Sequence, residues 1–471
     1  MILSAARLTR AGGLDGVTLQ GQLVLRCFLY GAVAVAVARA PGDTAALATD
    51  AFAARAIVVR HAISTVFGPE SAAAGSQSGA LGWLGALLWT KLAAAPFTLW
   101  LAPVAMLLAM LALVEIRARA RSNAWLGTAA AAIAALCACD AAHAGGPLAA
   151  PLFTAAFFML LDRPTVRRAV LGTALALFWC NTSASGLLGG VLALAAALGT
   201  SLDRQPVLER RAAWLAAFGA CLATLATPAG LAYPVLAFHA LRIDGTLEGI
   251  VSTAPSEIAP VAYHVGFFLV LVLGLAIGLR ALRFTGAFPA LVALALGLAN
   301  GANLPLVGVV VAPLLAGGAL RPRTTVARGL ALALTCVAVL AANVGPGGTD
   351  ANARASAQRD GAFLASRAAG LHDVRRVFCE QVAWCASAVA AGGSVLVDDR
   401  VDRAPSPVRD AQLALGQAHV TWLGVAKRYG IDAIVVSRDS ALASLLRLDS
   451  RWRTYGARGD TALFVRSSMR A

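Results

Sequence analysis

The stretch ARGLALALTCVAVLAANV at Ala327–Val344, followed at once by GPGGTDANAR at Gly345–Arg354, divides this chain in two. Before it, apolar runs recur with short basic breaks. After it, charged and apolar residues alternate as they do in a water-facing α/β unit. The Gly, Pro and Asp content of the break itself reads as a linker over 346–354. Composition agrees with the first half being lipid-facing: 59% of residues are hydrophobic and 13% charged, with mean hydropathy +0.74. A soluble domain carries about 25% charged residues.

Working back from Val344, the apolar runs predict a membrane body over 1–345. A bilayer core of about 30 Å takes roughly 20 apolar residues per helix. Thr18–Ala38, Phe97–Ile116, Ala124–Cys139, Gly146–Leu161, Ala169–Cys180, Ser185–Thr200, Ala212–Ala226, Pro260–Leu279, Phe284–Asn300, Leu304–Ala319 and Ala327–Val344 make about eleven spans. The expected fold class is therefore a polytopic α-helical membrane protein with a C-terminal α/β soluble domain.

The net charge of +15 raises the question of nucleic acid. Its distribution answers against it, because the arginines sit in short clusters between apolar runs rather than along one continuous face. The clusters are Arg117, Arg119 and Arg121; Arg163, Arg167 and Arg168; Arg204, Arg210 and Arg211; Arg280 and Arg283; Arg321, Arg323 and Arg328. That is the pattern of cytoplasmic loops facing anionic lipid. A single crossing over 79–116, with 80–93 at the outer interface, puts all five clusters inside. The loops 39–78 and 227–259 then share the outer face with the C-terminal domain, 355–471. No cleavable signal peptide is evident in the mixed polar Met1–Gly16.

Six of the eight cysteines (Cys27, Cys137, Cys139, Cys180, Cys221, Cys336) lie in apolar segments and read as small hydrophobes. Cys379 and Cys385 lie in the C-terminal domain and can pair if that domain is outside the cell. No histidine stands at metal-ligand spacing from them, which argues against zinc. That domain reads as helix 355–369, strand 376–378, helix 381–391, buried strand 394–398, helix 409–429, strand 432–436, helix 440–448 and a closing hairpin of 452–455 with 461–466. Strands alternating with helices predict a mostly parallel sheet. There is no GxGxxG, no P-loop and no nucleophile elbow.

Several stretches, in order, resemble one group of bacterial integral-membrane proteins with the GT-C glycosyltransferase architecture. They are PLAAPLFTAAFFMLLDRP at Pro147–Pro164, LFWCNTSASGLLGG at Leu177–Gly190, LATLATPAGLAY at Leu222–Tyr233, IVSTAPSEIAP at Ile250–Pro260 and NGANLPLVGVVVAP at Asn300–Pro313. The tail is closest, with SVLVDDRVDR at Ser394–Arg403, YGIDAIVVSRDSALA at Tyr429–Ala443 and TALFVR at Thr461–Arg466. The resemblance implies a GT-C-like fold and transfer of a hexosyl or pentosyl group from a polyprenyl-phosphate donor. It places the reaction on the outer face of the inner membrane, with an acid in the first outer loop. The chain departs from the group at several points. Trp179, Cys180 and Asn181 are followed by Thr182, Ser183 and Ala184 where the group has His-Gly. Thr227–Gly230 replaces an Asn-Pro ahead of a glycine, a Glu-Trp is lost near Val251–Pro255, and Ala302–Asn303 replaces an Arg-Asn. Either the active site has diverged or it is gone.

Glycosyl transfer from a lipid phosphate requires a base at the acceptor hydroxyl and help for the departing phosphate. Asp43 is the preferred base and Asp50 the second; both are equally readable as solvated loop carboxylates. Arg55, Arg60 and His61 are candidate phosphate holders, and the two arginines are also readable as interfacial anchors. Lys91, in apolar sequence, is either functional or snorkelling. Asn181, Glu248 and Glu257 complete the candidate substrate residues, with His239 and His264 flanking the long outer loop. A divalent cation is a possible cofactor, and lipid and the polyprenyl donor are the expected partners. Asp398, Asp399, Arg400 and Asp402 end a strand where α/β sheets bind ligands, or else form an ion-pair lattice. Trp83 and Trp179 read as interfacial belt residues. The rival readings are a catalytically inactive relative acting as a scaffold in envelope glycan assembly, and a transporter, against which stands the lack of a clear inverted repeat.

Overall fold

Alanine builds the helical part of the molecule. The computed structural model describes residues 14–39, 71–72, 83–85, 87–88, 96–143, 149–238, 283–299, 304–318, 324–344, 347–397 and 404–467. Besides short helical stretches at 83–85, 87–88 and 233–238, ten longer helices precede the sheet-bearing part among these residues. They are α1 (Leu14–Arg39), α2 (Pro96–Arg119), α3 (Ala124–His143), α4 (Ala149–Leu161), α5 (Val166–Thr182), α6 (Leu187–Leu202), α7 (Val207–Leu225), α8 (Phe284–Ala299), α9 (Leu304–Gly318) and α10 (Thr324–Val344).

One group packs around α3, which touches α1, α2, α9 and α10, while in a second α7 packs on both α5 and α6, and α6 on α8. The core between α5, α6 and α7 is almost all small: Ala169, Ala176, Ala193, Ala197, Ala213, Ala217 and Ala220 are buried. Small residues let helix backbones approach closely. At Gly219 the approach is absolute, since a Cβ there would overlap the Thr173 side chain on α5. The large apolar residues face outward instead. Val170, Leu171, Leu177 and Phe178 of α5, Leu194 and Leu198 of α6, and Leu215, Phe218 and Leu222 of α7 are all exposed.

Among the described residues the helices do not make up the eleven-span body. Among the described residues two helices, Leu101–Arg119 and Ala184–Leu202, are long and apolar enough to cross a bilayer. A third arises only if Val207–Leu225 and Gly230–Phe238, bent by 112° at their break, count as one crossing. Run length explains the correction. Helices α4 and α9 have 13 and 15 residues, which at 1.5 Å per residue reach about 20 and 23 Å, short of a 30 Å core. The expected span 260–279 lies outside the described residues.

The segment read as a linker is helical from its third residue. Helix α11 runs Gly347–Ala369 and carries the chain directly into the C-terminal part. There α12 (Val382–Ala390), α13 (Ser406–Gly416), α14 (Trp422–Arg428) and α15 (Ala441–Leu448) flank four strands, β1 (Val377–Cys379), β2 (Ala433–Ser437), β3 (Trp452–Arg458) and β4 (Thr461–Arg466). The sheet order is β1-β2-β4-β3. Only β1 and β2 are parallel; β4 runs antiparallel to both β2 and β3. The expectation of a mostly parallel sheet fails because the terminal hairpin inserts β4 beside β2. One face is covered by Leu364, Ala365, Ala368, Trp384 and Ala388 from α11 and α12. The other is covered by Val408, Leu415, Trp422 and Leu442 from α13, α14 and α15. The single helix expected over 409–429 is two, broken at a turn where Ala418 takes a positive φ of 52°. The expected strand 394–398 contracts to one bridging residue, Val395.

Candidate functional site

The turns carrying arginine gather at one end of the helical bundle. Arg117 Nε and Arg121 Nη2, at the α2–α3 turn, each reach Asp162, at the α4–α5 turn, at 2.8 Å. Asp203, at the α6–α7 turn, accepts from the Phe284 N–H at 2.9 Å and the Thr285 N–H at 2.8 Å, thereby capping α8. Burial pushes the Asp203 carboxyl up, but the Thr285 hydroxyl and these N–H groups outweigh it and hold it below its usual value.

The opposite end of the bundle carries Asn181, in the last turn of α5. It is the one candidate site residue among the described residues. Its carboxamide oxygen accepts from Trp83 Nε1 at 2.7 Å. Its amide nitrogen donates to the Leu177 carbonyl at 2.9 Å and the Ala226 carbonyl, at the end of α7, at 3.3 Å. Around it the α5–α6 turn is closed by side chains. Trp179 Nε1 donates to Ser185 Oγ at 2.9 Å, Ser183 Oγ and Ser185 Oγ lie 2.8 Å apart, and the Tyr233 hydroxyl donates to the Ser183 carbonyl at 3.0 Å. Backbone follows backbone closely here, for a Cβ on Gly85 would overlap the Thr182 carbonyl.

Trp179 is therefore no interfacial belt residue. It is fully buried and stacks on Phe153, with ring centroids 5.7 Å apart. Trp83 is half-buried and spends its N–H on Asn181. Both indoles have a protein partner, which is what a buried indole N–H requires.

Asp43, Asp50, Arg55, Arg60, His61, Lys91, Glu248 and Glu257 lie outside the described residues, as do His239, His264, Asp398, Asp399, Arg400 and Asp402. Ten residues after His61 the chain meets the C-terminal part. Ser71 forms a parallel bridge to Val395, and Val395 in turn bridges Val377 of β1. The Ala72 N–H lies 3.2 Å from the carbonyls of both Val395 and Leu396. Ser71 is buried, and Ala72 packs against the core under α13 and α14. Eleven residues on from Ala72, Trp83 meets Asn181. Residues 71–72 thus contact the C-terminal sheet, and Trp83 contacts the α5–α6 end of the bundle.

At the C-terminal ends of β1 and β2, Glu380 accepts the Ser437 N–H at 2.6 Å. Burial raises the Glu380 carboxyl above its usual value, and its hydrogen bonds to Ser437 and Ser440 only partly offset this. Gln412 donates to the Cys379 carbonyl beside it at 3.0 Å. Cys379 and Cys385 are joined as a disulfide, with Cα atoms 5.6 Å apart. Among the described residues no group of three or more His, Cys, Asp or Glu could hold a metal ion.

Sequence reasoning missed the most connected acid in the molecule. Glu115 is 1% exposed and bonds Arg26, Tyr30, Arg119 and Thr128. The signal was present: Glu115 is the sole acid in the apolar stretch 79–116, four residues before Arg119. No protein-family model matches the chain, and no curated protein matches it.

Proposed function

We propose that this chain is a membrane glycosyltransferase that moves a sugar from a polyprenyl-phosphate donor to an acceptor on the extracytoplasmic face. The observation that carries the reading is the Ser71–Val395 bridge. It pairs Ser71, ten residues after His61 in the sequence, with the edge of the C-terminal sheet, and a shared chamber would need such a junction. Three further observations support it. The outward Leu, Val and Phe of α5, α6 and α7 over an alanine core suit contact with hydrocarbon. Arginines collected at the other end suit the cytoplasmic surface. A disulfide in the C-terminal part suits an oxidising compartment. In this reading Asp43 takes the acceptor proton, with Asp50 as its alternate. Arg55, Arg60 and His61 hold the departing phosphate, and Lys91, Glu248 and Glu257 border the cleft.

The second reading, an inactive scaffold in envelope glycan assembly, is favoured by Asn181. Both ends of its carboxamide are spent on Trp83, Leu177 and Ala226, as a structural residue's would be. Purified chain with a radiolabelled polyprenyl-phosphate sugar and cell-envelope acceptor separates the two. Asp43→Asn should reduce transfer by at least about a hundredfold, the usual worth of a general base, with Asp50→Asn next in effect. Transfer undiminished in both variants removes the assigned base, and no transfer in the unmodified chain favours the scaffold.

A further inference from the structure

At the arginine end of the bundle Arg26 and Arg119 share one acid among the described residues, Glu115. Glu115 receives Arg26 Nε at 2.8 Å and Arg119 Nη2 at 2.9 Å, and the Tyr30 and Thr128 hydroxyls also donate to it. Its acceptor capacity is thereby used. A third guanidinium arrives from α10: Arg328 Nη2 lies 4.0 Å from the position a Cβ on Gly21 would take, and the group sits over the Trp125 ring at 5.5 Å. Beside Gly21, the side chain of Gln22 is 6% exposed and its buried Nε2 has no partner among the described residues. Arg119 Nε is likewise buried and without a partner. Every uncommitted atom named here is an N–H donor. A buried donor without an acceptor is costly, and so is charge beside apolar helices. An anion answers both.

We propose that this cluster, between α1, α2, α3 and α10, binds the phosphate of an anionic membrane phospholipid. Arg26 and Arg119, with side chains 30% and 31% exposed, and the exposed Arg328 can be reached from outside. Arg26, Arg119 and Arg328 supply charge-assisted hydrogen bonds, and the Gln22 amide supplies a neutral donor at the buried side. Leu23 and Val24 of α1 and Val326 and Leu332 of α10 are exposed apolar residues on the same helices, available to acyl chains. A lipid rather than free phosphate is the occupant because those apolar faces lead away from the cations. The inference rests on the membrane association proposed above and is independent of the transferase chemistry.

The test is thermal unfolding of the full chain in uncharged detergent. It is titrated with short-chain phosphatidylglycerol, with phosphatidylcholine of the same chain length, and with inorganic phosphate. Phosphatidylglycerol should raise the midpoint saturably at concentrations where the other two do not. Arg328→Gln should weaken its apparent affinity about tenfold. Gln22→Leu should weaken it too, since it removes the Nε2 donor, which has no other partner among the described residues. Equal shifts with both lipids, no shift, or variants that titrate like the unmodified chain overturn the proposal. Protection by inorganic phosphate at matching concentration assigns the cluster to a soluble anion and overturns the lipid. Cell fractionation reads the underlying assumption separately. A chain recovered outside membranes removes the premise, whereas a membrane-bound chain indifferent to phosphatidylglycerol removes the site alone.

Discussion

Asn181 shows how far one side chain's accounts can decide its role. Its carboxamide oxygen holds the Trp83 N–H, and its amide nitrogen bridges α5 to the end of α7. Asn181→Ala leaves a half-buried indole N–H and a helix-end carbonyl without partners. The expected loss of stability is about 2 kcal/mol, read as a fall in thermal midpoint in detergent. Transfer should decline only in step with folding. A variant that keeps its midpoint and loses transfer would instead place Asn181 at the substrate. The resemblance drew attention to Asn181, but what it touches depends on Trp83, 98 positions away, and periodicity carries no signal for such a contact. Glu115 is legible as the sole acid of 79–116, though Lys91, the charge nearer the middle of that stretch, is the more conspicuous.

Capping works across elements as well as within them. Helix α8 begins after Arg283, and Asp203 from the α6–α7 turn caps it in trans. Asp203→Ala should cost about 1 kcal/mol, the usual worth of an N-terminal cap. The folded carboxyl is held below its unfolded value, so its contribution is complete above the ordinary carboxylate range. It disappears as pH falls through the lowered folded value. The midpoint difference between unmodified and Asp203→Ala chains should therefore be present at neutral pH and vanish in strong acid. A difference that persists in acid means the aspartate acts by packing. At this scale the sequence was readable where elements are local: β2, β4 and α15 lie within a residue of expectation, and β3 runs three residues past it. It misled where length depends on packing. Alanine-rich runs look like spans, yet they serve as thin spacers between neighbouring helices, and several end before a bilayer is crossed.

Across the whole molecule the decisive contact joins residues 71–72 to 395–396, over 300 positions apart. Val395 stands between Ser71 and Val377, all parallel, so the first loop extends the C-terminal sheet by one more rung. This junction was not legible in the sequence, since a two-residue pairing leaves no pattern of alternation. Ala72→Pro tests it. Proline removes the N–H that faces the Val395 and Leu396 carbonyls, which should cost about 1 kcal/mol locally while sparing the cores on either side. Hydrogen exchange should then quicken at Leu396, whose own N–H donates to the Val377 carbonyl at 3.1 Å, because the rung beside it has been cut. Exchange in α3 and α5 should stay unchanged. If the loop acids act in a chamber roofed by the C-terminal sheet, transfer should fall by a larger factor than this small loss of stability accounts for. If exchange quickens and transfer does not change, the loop works without its anchor, and the shared chamber is not where the chemistry happens.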